Sequence, residues 1–162
     1  MKAPIVPSAR ALVLLALLAP LSVVVAATAP GAWIVGPASG LALLAMTFAD
    51  GLLAPRLRDL RLHAPADTEV GQPLRLSVLA EFTGKARPHA AIGFDPRLGH
   101  GGAAERALTP GSEEGIAVGE AEIVPQRRGT ADLHDLWLRW PGPLGLAFRQ
   151  VHRKLDQPNR VW

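Results

Sequence analysis

Residues 11–49 contain no Asp, Glu, Lys, Arg or His, which makes 39 consecutive uncharged residues in a chain of 162. As one α-helix this stretch would reach roughly 58 Å, about twice the hydrocarbon thickness of a bilayer, so a single span is too long. A break lies near its middle, at Thr28-Ala29-Pro30-Gly31, where Pro-Gly favours a turn. Two apolar helices result, over residues 11–27 and 32–49, each near the short end of the membrane-crossing range. Trp33 falls beside the turn, where an indole ring suits the membrane–water interface. Pro20 bends the first helix, which lipid tolerates when neighbours satisfy the freed backbone. Gly36 and Gly40 put small residues four apart, as in close helix packing, and leave open a membrane-embedded oligomer.

Basic residues flank this hairpin. Lys2 and Arg10 precede the first helix, Arg56, Arg58 and Arg61 follow the second, and the turn carries no charge. By the positive-inside rule both ends face the cytoplasm. Residues 1–10 are then a cytoplasmic tail, residues 11–27 and 32–49 cross a bacterial inner membrane, and residues 56–162 form a cytoplasmic domain. Asp50 reads as the membrane exit. The competing reading is a cleaved secretory signal, with Lys2 and Arg10 as its basic start and Ala27-Thr28-Ala29 as the cleavage site. Its product would be an exported β-domain that binds a cell-envelope ligand. Pro30 directly after the cut, and a second apolar run soon after it, weigh against that reading.

The net charge of +3 depends on the same division. Residues 50–162 hold 15 Lys and Arg against 14 Asp and Glu, and Lys2 and Arg10 supply the rest of the excess. A nearly neutral domain with interspersed signs lacks the basic face that nucleic acid requires, so no nucleic-acid partner is expected. There is no cysteine, which excludes disulfides, thiolate metal sites and a Cys nucleophile.

Beyond Pro55 the period changes. In LRLSVLAEF (74–82), Leu74, Leu76, Val78, Ala80 and Phe82 alternate with the remaining residues, which predicts a half-buried strand. Further short strands are expected at 57–63, 90–94, 105–108, 116–124 and 133–140. Turn signals separate them at Pro65, Val70-Gly71-Gln72-Pro73, Gly84, Asp95-Pro96, residues 99–102, Pro110-Gly111 and Arg128-Gly129. Short strands at this spacing, with no long helical pattern, predict an all-β antiparallel sandwich of immunoglobulin-like kind. The expected fold class is therefore a two-helix transmembrane hairpin followed by that sandwich.

The stretch Trp140-Pro141-Gly142-Pro143-Leu144-Gly145-Leu146 interrupts this pattern. Leu136, Leu138 and Trp140 share one strand face, and Trp137 and Arg139 share the other. Pro141-Gly142 suits the centre of a type II turn, and Pro143 denies a backbone N–H to any sheet partner. The segment reads as a structural corner between one strand and another at about 147–151.

The apolar hairpin, the strand after Val70-Gly71-Gln72-Pro73-Leu74 and the block PQRRGTADLHDLWLRWPGPLGLAFR (125–149) together resemble the N-terminal half of the domain-of-unknown-function 58 family of bacterial membrane proteins. The turn Arg127-Arg128-Gly129, followed by a strand and the Pro-Leu-Gly-Leu corner, carries most of the likeness. The resemblance implies a two-helix anchor, a β-sandwich linker and a following von Willebrand factor A-like domain, before which this chain is expected to be truncated. It also implies a MoxR-type AAA+ ATPase as partner. The Asp-x-Ser-x-Ser metal motif of the A-like domain occurs nowhere in the sequence, so no metal-dependent adhesion is placed on these residues.

Signals for catalysis are sparse. His89, Asp95 and His100 form one loose cluster, and Asp132, His134 and Asp135 a second. Asp132 and His134 would share a strand face, but a third ligand is missing. Gly99-His100-Gly101-Gly102 lacks the Lys and the helix of a phosphate loop, and none of the five serines sits in a G-x-S-x-G elbow. No catalytic, cofactor or metal residue is assigned. Trp137, Trp140 and Phe148 read as core or corner packing, and Arg127-Arg128 as a solvated turn or a site for acidic groups of a partner. The expectation is a non-catalytic membrane anchor and scaffold, with the lipid bilayer as its first partner.

Overall fold

The computed structural model describes residues 3–95, 98, 103–111 and 113–162. Two long apolar helices are followed by an antiparallel all-β sandwich. The chain divides into two compact units: Ala3–Ala54 with Pro141–Arg149, and Pro55–Trp140 with Gln150–Trp162.

The first unit is the hairpin. Strand β1 (Ile5–Pro7) leads into helix α1 (Ala9–Thr28). A 3-10 turn at Pro30–Ala32 then connects to α2 (Val35–Leu53). Ser8 caps α1, its Oγ accepting the Ala11 N–H at 3.2 Å and satisfying one of the helix's unpaired donors. Pro20 lies inside α1. The helices approach most closely where Gly36 faces Ser22: a Cβ on Gly36 would lie 2.2 Å from Ser22 Cβ. Gly40, the other half of the small-residue pair, has open space around it. Helix α2 continues four residues past the expected end at 49, because Asp50 is buried and bonded rather than turned to water. Pro55 stands two residues beyond its last turn, where proline commonly ends a helix.

The hairpin's own core is small. Ala11, Leu43 and Leu146 are buried together, with Leu15 and Leu18 packed against them. Most other large apolar side chains of the two helices are exposed, including Leu17, Val23, Val24, Ile34, Leu41, Leu44 and Phe48.

The second unit is the sandwich. One sheet is ordered β2 (Leu57–His63), β4 (Leu74–Phe82), β8 (Ile116–Ile123), β7 (Thr109–Pro110). The other runs β10 (Ala147–Val161), β9 (Gly129–Pro141), β5 (His89–Phe94), β6 (Ala103–Ala107). The short β3 (Asp67–Thr68) pairs in parallel with the end of β10. Period-two alternation decides which face is buried. Leu74, Leu76, Val78, Ala80 and Phe82 of β4 point inward, opposed by Ala90, Ile92 and Phe94 of β5 and Leu133, Leu136, Leu138 and Trp140 of β9. Trp140 is fully buried, packs edge-to-face on Phe82 with centroids 5.2 Å apart, and donates Nε1–H to the Pro55 carbonyl at 2.8 Å. That bond satisfies the one polar atom of an otherwise apolar ring.

Strand β9 does not alternate throughout. Its register with β5 shifts between Gly93↔Asp135 and Phe94↔Leu133, a bulge that places both His134 and Asp135 between the buried Leu133 and Leu136.

Candidate functional site

The corner is built around one acid. Asp50 lies in the last turn of α2, where a negative charge opposes the helix dipole, yet it is only 1% exposed. Its Oδ1 accepts the N–H of Leu144 at 2.6 Å, and its Oδ2 accepts those of Leu146 at 2.8 Å and Ala147 at 3.0 Å. Burying a carboxylate is tolerable only when such bonds replace its water. The same turn of α2 is stabilised by Arg149, whose Nε donates to the Gly51 carbonyl at 2.8 Å and sets a positive charge at the helix C-terminus. The Leu146 carbonyl in turn accepts the N–H of the α1 cap residue, Ser8, at 2.8 Å. Residues 147–149 pair antiparallel with β1. The corner thus holds the start of α1 and the end of α2 together.

Asp50, read from the sequence as the membrane exit, is the buried acceptor of the corner. One expectation is corrected. The turn is not centred on Pro141-Gly142: Gly142 donates to the Ala147 carbonyl, and Gly145 donates to the Gly142 carbonyl at 3.1 Å. The turn is therefore Gly142-Pro143-Leu144-Gly145. Its third residue has a negative φ, which excludes type II, and the positive φ of 69° falls on Gly145. Gly142 is needed for close approach instead. A Cβ there would lie 2.5 Å from the Asp50 carbonyl oxygen and 2.6 Å from its carboxylate.

Arg127, Arg128 and Gly129, grouped with the corner by the resemblance, lie elsewhere, while Pro141, Pro143, Leu144 and Leu146 belong to it. Arg127, Arg128 and Gly129 are exposed at the beginning of β9, Gly129 with φ of 139°, whereas Pro141 ends that strand. Trp140 belongs to the sandwich unit and Pro141, Pro143, Leu144 and Leu146 to the hairpin unit.

In the sandwich unit, the outer face of β9 and β10 carries a polar cluster. His152 Nε2 meets Asp135 Oδ1 at 2.5 Å, and the His152 ring stacks on Trp137 with centroids 3.9 Å apart and planes 14° apart. Trp137, expected in packing, is 43% exposed on this face. His152 carries no sequence motif, and its partners lie on another strand. Asp132 and His134 are exposed, and His89 is exposed opposite Arg139. The Asp95 N–H bonds the Asp132 carbonyl, and His100 lies outside the described residues. Among the described residues no three His, Asp or Glu side chains converge to hold a metal. Asp59 is held below its usual value, first by the hydrogen bond from the Arg61 guanidinium at 2.7 Å and then by the N–H of Leu60. Both side chains are exposed.

No family model matches the chain, and no curated protein matches it. Among solved structures, the CARDB domain of a Pyrococcus furiosus protein, in complex with di-metal ions, is similar with a TM-score of 0.39 and 11% identity over 67% of this chain and 90% of that one. The PKD domain of an M14-like peptidase from a Thermoplasmatales archaeon gives 0.35 and 10% over 63% and 96%. A DNA-bound alkylpurine DNA glycosylase of Pseudomonas fluorescens gives 0.30 and 13% over 71% of this chain and 32% of the enzyme. At these identities and TM-scores they assign no residue role to this chain.

Proposed function

We propose that this chain is a non-catalytic membrane anchor and scaffold. The helix hairpin crosses a bacterial inner membrane with both termini in the cytoplasm, and it holds an immunoglobulin-like sandwich at that face to present a downstream or partner domain. The observation that carries the reading is the surface of α1 and α2. Their large apolar side chains face outward all along both helices, from Leu12 at 55% exposed to Leu53 at 72%. A core helix of a soluble protein buries such residues, and a patch of this extent needs a hydrocarbon or protein cover. Both helices are also long and apolar enough to span. Retention of the N-terminal segment is supported by its role in the fold. Cleavage near Ala29 would remove β1 and the Ser8 cap, whose partners are residues 146–149. The resemblance to the domain-of-unknown-function 58 family adds a MoxR-type AAA+ ATPase as the cytoplasmic partner.

Protease added to inverted membrane vesicles should digest the chain beyond Pro55, while alkaline carbonate leaves the hairpin in the membrane. A sandwich digested only from the outside of spheroplasts would overturn the orientation.

A further inference from the structure

We infer that the corner, residues 141–147, is itself a membrane element, a third lipid-contacting segment that lies at the hydrocarbon edge with Leu144 inserted. This rests on the reading that the hairpin spans the bilayer.

Three observations carry it. The first is depth. With Trp33 at the far interface, α2 supplies 19 residues, or about 28 Å, to cross about 30 Å of hydrocarbon, so its last turn is needed for the crossing. Asp50 lies three residues inside that end, and the corner is bonded to it. Ser8, at the beginning of α1, is bonded to the same loop. The corner is therefore fixed to both helix ends at the level where lipid begins.

The second is the backbone. Irregular chain survives at membrane depth only when its polar groups are satisfied by protein. Pro141 and Pro143 have no N–H, and each of the five remaining donors from Gly142 to Ala147 has a protein acceptor: Ala147 O, Gly142 O or the two Asp50 oxygens. Two prolines and one buried acid thus leave no donor in this loop that needs water.

The third is the side chain. Leu146 turns in, to the core with Ala11 and Leu43, but Leu144 is 58% exposed. Leu52 and Leu53, in the last turn of α2 that holds Asp50, are also exposed. The hydrocarbon that covers those two is the occupant that fits Leu144.

The chain has no native cysteine, so single sites can be labelled cleanly. Leu144→Cys, Leu41→Cys and Lys85→Cys, each in the full chain, carry an environment-sensitive NBD fluorophore in liposomes of phosphatidylethanolamine and phosphatidylglycerol. At position 144 emission should be blue-shifted, lost to lipid bearing a nitroxide near the acyl carbonyl, and spared by aqueous iodide. Position 41 should be quenched by a nitroxide deep in the chain, and position 85 by iodide. Iodide quenching at 144 with lipid quenching kept at 41 overturns the inference and leaves the spanning hairpin intact. Iodide quenching at both 144 and 41 overturns both.

Discussion

The backbone N–H of Leu146 donates to Asp50 Oδ2 at 2.8 Å, joining positions 96 residues apart. It explains why two prolines and two glycines stand where a strand could have continued. The corner is shaped to deliver three N–H groups to one carboxylate at the end of a helix.

Asp50→Asn should loosen the corner. Asparagine keeps one acceptor oxygen and turns an NH2 toward the remaining donors, which leaves buried N–H groups without partners and costs roughly 2–4 kcal/mol. Thermal unfolding of the full chain in nanodiscs, together with new proteolysis within residues 141–147, measures this. An unchanged melting temperature would show that the three bonds contribute little.

Gly142→Ala should be destabilising by about 1–3 kcal/mol. The atoms its Cβ would strike are the Asp50 carbonyl oxygen and a carboxylate held by three donors, none at the end of a flexible side chain. Gly31→Ala, with nothing within 4 Å, is the control and should melt close to the parent protein.

The two glycines of the small-residue pair should respond in opposite directions. At Gly36 a methyl collides with Ser22 Cβ, so Gly36→Ala should push the helices apart and lower the melting temperature. Gly40 has open space in a helix interior, and Gly40→Ala should stabilise by roughly 0.5–1 kcal/mol. Equal shifts of the same sign would contradict the close approach at Gly36.

Trp140 should be the most sensitive core position of the sandwich. Trp140→Phe loses the Nε1–H bond to Pro55 and should cost about 1–2 kcal/mol, whereas Trp140→Ala should cost about 3–5 kcal/mol. Denaturant unfolding followed by circular dichroism separates the two. A similar cost for both would mean that the hydrogen bond, not the ring, dominates.

Acid should act only weakly through Asp59. Its pKa in the folded chain lies below 3.8, so its contribution is present above that value and fades as pH falls through the lowered one. The pair with Arg61 is exposed, and salt screens it. Asp59→Asn should therefore flatten the acid limb of stability slightly at low ionic strength and leave it unchanged at high ionic strength. A difference that survives in high salt would assign Asp59 a larger role.

Local pattern made much of the fold legible. Strand β4 occupies 74–82 as its apolar period predicts, because it packs one face on the core, and β2 occupies the less regular candidate at 57–63. The uncharged run and its Pro-Gly break likewise indicated two helices. The features that escaped depend on distant partners. Asp50 gives no local sign that its carboxyl meets residues 144–147, so α2 was expected to stop where the charge begins. Asp135 and His152 lie 17 positions apart on neighbouring strands, and the glycine at the β9 bulge, Gly93, stands on the partner strand, so nothing local to Asp135 marks it. The turn at the corner is shifted because Pro-Gly at 141–142 suits type II chemistry in isolation, but the residue that would close that turn, Pro143, has no N–H, and the turn closes from Gly145 to Gly142 instead.

Cysteine accessibility tests the anchor most directly. Gly31→Cys, at the turn between the helices, and Lys85→Cys, in the sandwich unit, are exposed in turn to a membrane-impermeant maleimide in spheroplasts before and after permeabilisation. A hairpin that crosses the inner membrane with its sandwich inside reacts at position 31 in intact spheroplasts and at position 85 only after permeabilisation. Labelling of position 85 in intact spheroplasts, or protection of position 31 there, would contradict the account.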